Sequence, residues 1–206
     1  MKNLNNYIIE RLHITKKTSI YNYFPKTKEE LRKILEERLT KDKNADLNDI
    51  DVSQITNMFE LFYKLDPHNI DISNWDVSNV TNMIYMFWNC ENFNSDLSKW
   101  DISKVKIING IFNLCTNFNS DLSKWDVSNV QNMAFMFFNC ENFNSDLSEW
   151  NVSDVKNMSY MFYKCTSFNG KGLEKWNVSK VKDMTDMFYE CNSLKNKPSW
   201  YKNINK

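Results

Sequence analysis

WDVSNVTNMIYMFWNCENFNSDLSKW, residues 75–100, is the stretch that decides the fold, because it returns along the chain in phase. Tryptophan recurs at 75, 100, 125, 150 and 176, and cysteine at 90, 115, 140, 165 and 191. Both series step by 25, with one step of 26. The extra residue falls at Gly170-Lys171-Gly172, where two glycines ease an insertion. Phe93, Phe118, Phe143 and Phe168 keep the phase, as do Leu97, Leu122, Leu147 and Leu173. Ile50, Leu65 and His68 hold the Trp, Cys and Phe positions of a degenerate first copy. Such register is the signature of stacked units, each burying its apolar face against its neighbours. At least six copies run from about Ile50 to the C-terminus.

Two periods alternate inside a copy. Val80, Met83, Met86, Phe87 and Cys90 fall on one helical face, with Thr81 or Asn82 as N-cap. Between Phe93 and Leu97 the apolar spacing is even, which predicts a short strand. The expected fold class is α/β: a solenoid of about six 25-residue units, each strand, turn and helix, behind an N-terminal capping helix. The expected domains are an arm at 1–23, a capping helix within 24–45, and the repeats with a C-terminal cap at 46–206. Thr27 and Glu30 form a capping box, and Leu31, Ile34, Leu35 and Leu39 make the apolar stripe that would cover the open end. In the arm, Leu4, Ile8 and Leu12 share a helical face, which suits docking to a partner or strapping the solenoid itself. At the far end Pro198 takes a leucine position and should stop pairing, with Trp200 and Tyr201 folding over the last unit.

The in-phase pattern VTNM..MF..C..FN.DLS.W over residues 46–201 resembles the BspA-type leucine-rich repeat, a bacterial surface-protein repeat of about 25 residues. The resemblance implies a leucine-rich-repeat-like solenoid without catalytic activity. It also implies an exported surface protein or lipoprotein engaged in adhesion or host interaction. Residues 1–23 lack a continuous apolar run and a small-residue cleavage site, and the first cysteine is Cys90. As written, the chain is expected to stay in the cytoplasm; the resemblance points to the cell surface.

Bulk properties narrow the field of functions. The 206 residues carry 26 basic and 26 acidic groups, so no net field draws in nucleic acid. Nowhere do 18 apolar residues run together, so no membrane span is expected. The two histidines, His13 and His68, sit in no triad or zinc pattern, and there is no glycine-rich phosphate loop. An enzyme gathers unlike groups at one place, whereas this chain repeats the same groups along a line. No enzyme activity, cofactor or metal is expected.

Four columns of side chains remain as candidates. The cysteines read as free, buried small hydrophobes, since Leu65 fills their position in the first copy. Asp71, Asp96, Asp121 and Asp146 could in principle hold calcium, but solvation or bonding to local amides accounts for them. Asn69, Asn94, Asn119, Asn144 and Asn169 suggest an asparagine ladder serving turn backbone. On a helix the positions of Tyr85 and Trp88 would point outward, yet they carry aromatics: Tyr85, Phe135 and Tyr160 in one, Tyr63, Trp88, Phe138, Tyr163 and Tyr189 in the other. The third copy departs, with Asn109, Gly110 and Asn113 in that region. These eight aromatics are the candidate partner-binding residues, with cover by neighbouring helices or by the N-terminal arm as the alternative. The function expected is a non-enzymatic protein-binding module; a structural solenoid that self-associates through the same aromatics is the alternative.

Overall fold

The computed structural model describes residues 20–203. The expected arm helix through Leu4, Ile8 and Leu12 lies outside the described residues. The expectation of strand–turn–helix units is overturned: the repeats contain no α-helix, and pairing between them is confined to isolated single-residue bridges. The reason lies in the backbone. Each copy places two residues in the left-handed region. One series is Glu60, Tyr85, Gly110, Phe135, Tyr160 and Asp186, with φ between 48° and 62°. The other is Lys64, Asn89, Leu114, Asn139, Lys164 and Glu190, with φ between 55° and 64°. A right-handed helix cannot pass through such residues.

What replaces the helix is a run of linked β-turns. Met86, Trp88 and Cys90 N–H donate to the carbonyls of Met83, Tyr85 and Phe87, three residues back, at 3.2, 3.1 and 3.0 Å. The intervening N–H groups of Tyr85, Phe87 and Asn89 donate instead to Asn109, Ile111 and Asn113 of the next copy, at 3.1, 2.9 and 2.8 Å. Alternate amides thus close turns within a copy and stitch it to its neighbour, and the backbone is satisfied without helix or strand. Each copy is one coil of a stack. The coils are numbered one to six by Phe62, Phe87, Phe112, Phe137, Phe162 and Phe188. The strand expected at 93–97 does not form. The parallel bridges fall elsewhere, through Asn57, Asn82, Ile107, Asn132, Asn157 and Asp183. The last step is 26 residues, after a left-handed Gly172 (φ 90°) whose missing side chain leaves room for the Ser148 backbone, 2.4 Å from where a Cβ would stand.

The inside of the stack is a set of files. Phe62, Phe87, Phe112, Phe137, Phe162 and Phe188 stack with centroids 5.0–5.8 Å apart. Phe93, Phe118, Phe143 and Phe168 form a parallel file at 5.8–6.1 Å. The indole N–H groups of Trp75, Trp100, Trp125, Trp150 and Trp176 each donate to a Leu or Ile carbonyl of the preceding repeat, at 2.9–3.1 Å. Burying a Trp thereby leaves no polar atom stranded.

The helix α1, Lys28–Lys41, covers the N-terminal end. Thr27 Oγ1 accepts from Glu30 N–H at 3.2 Å, and Glu30 accepts from Lys26 N–H at 2.7 Å, so the capping pair closes on the residue before the N-cap. Leu31, Leu35 and Leu39 are fully buried against coil one, and Ile34 packs beside them. Arg32 donates to the Leu61 carbonyl at 2.7 Å, and Lys43 donates to that of Leu65. These are carbonyls at the edge of coil one, where no earlier coil supplies donors. At the other end Trp200 donates to Leu173 O at 2.8 Å and stacks on Trp176, while Tyr201 packs edge-on to Phe188. Trp200 therefore continues the indole file although it stands one residue early in the period.

Candidate interaction surface

The polar columns are explained by backbone chemistry. Asp71, Asp96, Asp121 and Asp146 each accept from the N–H of a serine two residues on, at 2.9–3.0 Å. These bonds hold the Asp71 and Asp96 carboxyls below their ordinary range. Asp146, bonded first by Lys171 and then by Ser148, is pushed down to about 2. Among the described residues no group of three or more His, Cys, Asp or Glu side chains is arranged to hold a metal. In the asparagine column, Asn94, Asn119 and Asn144 accept from the N–H of Asn119, Asn144 and Asn169 in the next coil, at 2.8–3.0 Å. The cysteines are free and buried, and their thiols donate to backbone. Cys115, Cys140, Cys165 and Cys191 reach Phe87, Phe112, Phe137 and Phe162 carbonyls at 2.8–3.0 Å. Burial raises every thiol pKa, that of Cys191 to about 12.

The aromatic positions form two exposed files. In the first, Tyr63 stacks on Trp88 at 4.4 Å with planes 4° apart. Phe138 stacks on Tyr163 at 4.7 Å, and Tyr163 on Tyr189 at 4.8 Å. In the second, Phe135 stacks on Tyr160 at 4.9 Å. The files touch where Tyr85 meets Trp88, Phe135 meets Phe138 and Tyr160 meets Tyr163, at 5.4–5.9 Å. All are half-buried except Tyr189, which is 47 % exposed. They face outward because of the left-handed turns, not because of a helical wheel. Tyr85, Phe135 and Tyr160 occupy one of the positive-φ positions themselves. Within each stacked pair the two rings cover each other's facing sides, and Tyr85 is stacked on no ring of the strip.

A family model described as Mycoplasma protein of unknown function, DUF285, matches residues 29–137 and 95–201. Together the two matches take in most of the chain. The chain belongs to the DUF285 family. This replaces the BspA-type leucine-rich-repeat resemblance: the family that the chain matches is another one, and its coils carry none of the helices that the resemblance implied. No curated protein and no solved structure matches the chain. The DUF285 matches extend from α1 through the last coil and include every candidate aromatic.

The departure of the third copy seen in the sequence is a break in the strip. Gly110 and Asn113 interrupt both files in coil three. A Cβ on Gly110 would stand 2.0 Å from the Tyr85 ring, so Tyr85 leans into the space that the glycine leaves. The break in the periodic pattern was the available signal. Among the described residues no helix is long and apolar enough to cross a membrane.

Proposed function

We propose that this member of the DUF285 family is a non-catalytic module that binds a protein partner along its aromatic strip. The observation that carries the reading is the pair of half-exposed stacked files, Tyr63–Trp88 and Phe138–Tyr163–Tyr189 beside Phe135–Tyr160. Core packing does not require them, since the Phe and Met files inside already fill the coil. Aromatic side chains of this kind anchor protein interfaces.

The test compares three kinds of variant in association with a partner purified from the native source. Trp88→Ala, Phe138→Ala and Tyr163→Ala should each weaken binding at least tenfold and lower folding stability by about 1–2 kcal/mol. Phe137→Ala, in the core, should cost about 3–5 kcal/mol of stability. Asp121→Ala, on another face, should leave binding intact. Light scattering shows whether the partner is a second copy of the chain. Binding lost with Asp121→Ala and kept with the aromatic variants would place the interface elsewhere.

A further inference from the structure

The file of bridge residues Asn57, Asn82, Asn132, Asn157 and Asp183 has one outsider, Ile107 in coil three. In the other five coils the side-chain oxygen accepts from the N–H two residues on, that of Phe59, Ile84, Ala134, Ser159 or Thr185, at 2.8–3.0 Å. Such a bond holds the turn that follows. Isoleucine offers no acceptor, and the Asn109 N–H finds none among the described residues. Packing does not offset the loss, because Ile107 is 39 % exposed and stands outside the core. Coil three thus gives up a turn bond and exposes an apolar side chain at the same position. Folding gains nothing from either, and conflicts of this kind belong to functional surfaces.

Ile107 lies in an open groove of about 340 Å³, lined by Lys106, Ile107, Gln131, Asn132, Lys156 and Asn157, with no acid among them. The register that builds it is visible in the backbone: Gln131 N–H donates to Lys106 O, and Lys156 N–H to Gln131 O, both at 2.8 Å. Lys106 and Lys156 are exposed and stand two coil steps apart, roughly 10 Å along the stack. Lys156 Nζ donates to Gln131 at 2.8 Å, and the Lys106 ammonium has no partner among the described residues. Lys182 carries the basic column one coil further, its N–H donating to Lys156 O at 2.8 Å. Asp154, two residues before Lys156, is already engaged by Lys180 at 2.5 Å.

From these features we infer that the groove is a docking site for a short protein segment that carries an apolar side chain between carboxylates. The apolar side chain covers Ile107, and the carboxylates meet the Lys106 and Lys156 ammonium groups. The Asn109 N–H donates to an acceptor of the segment where the other coils supply their own. A nucleic acid would use the lysines and leave Ile107 bare, and no ring lines the groove for a base to stack on. The site shares no residue with the aromatic strip, so the inference stands apart from the reading of that strip.

The test titrates the full chain, isotopically labelled, with acetyl-DDLDD-amide and follows the Ile107 methyl and the Gln131 and Asn132 amide signals by NMR. Saturable shifts are expected. Ile107→Asn installs the residue of the other coils and gives Asn109 N–H its acceptor. It should raise the melting temperature by about 2–4 °C and yet weaken the peptide about tenfold. A purely structural role for Ile107 predicts the opposite sign of the first change. Lys106→Gln/Lys156→Gln should also weaken the peptide about tenfold, while Lys124→Gln/Lys175→Gln, an equal change of charge on another column, leaves it bound. Absent shifts, a lower melting temperature in Ile107→Asn, equal loss in the two lysine pairs, or an equal response to acetyl-DDDDD-amide would overturn the inference. Tighter binding of a thymidine oligonucleotide of equal charge would overturn it in favour of nucleic acid.

Discussion

Cys115, Cys140 and Cys165 do two jobs at once: each fills the core, and each donates its S–H to a Phe carbonyl in the coil before. Burial was readable from the sequence, because Leu65 shares the position. The hydrogen bond was not, since it depends on which carbonyl the stacking brings near. Leu65 fits the same logic, as coil one is preceded by α1 rather than by a coil that would offer the acceptor. Burial holds these thiols protonated well above the ordinary value of 9.0. Their contribution to stability is therefore fully present below pH 9 and is lost as pH rises, because the unfolded chain ionises first. The slope is about 1 kcal/mol per thiol per pH unit. Denaturant titrations between pH 8.5 and 10.5 should show a steeper decline for the native chain than for Cys115→Ala/Cys140→Ala/Cys165→Ala. Equal slopes would mean that the thiols ionise in the folded protein.

Each coil shows where pattern reading stops. The apolar spacing at Val80, Met83, Met86, Phe87 and Cys90 is compatible with a helix, and all five are buried as that spacing requires. Linked β-turns give the same inward set while freeing alternate amides for the next coil. Nothing in side chains such as Tyr85, Leu114 or Phe135 announces a left-handed backbone, which asparagine at 89 and 139 and Gly110 tolerate more readily. Cross-coil bonding outweighs local preference here, and only the stack shows it. In α1 the local signals and the structure agree, because cap and apolar stripe act within a single element. Its less visible role is to donate to the bare carbonyls of coil one. Arg32→Met keeps the length of the side chain but removes the donor to Leu61 O. It should lower stability by about 1–2 kcal/mol and the melting temperature by about 2–8 °C. An unchanged melting curve would show that water serves those carbonyls equally well.

For the whole molecule, the period made the register of the copies and the core residues legible, while the form of the unit and the family were misread. The aromatic positions stood out because packing did not need them, and the gap in coil three stood out because it broke their pattern. The central claim is that the coils are interchangeable units, each held by its two neighbours through in-register amides. Removing Trp100–Lys124 deletes 25 residues, keeps the phase and joins Lys99 to Trp125. It takes out Gly110 and Asn113 and should set Trp88 directly on Phe138. The decisive measurement is the thermal unfolding of this shortened chain, followed by circular dichroism. The account expects a single cooperative transition within roughly 10 °C of the parent, since one nearest-neighbour interface is lost and an equivalent one is made. Loss of the cooperative transition would contradict it.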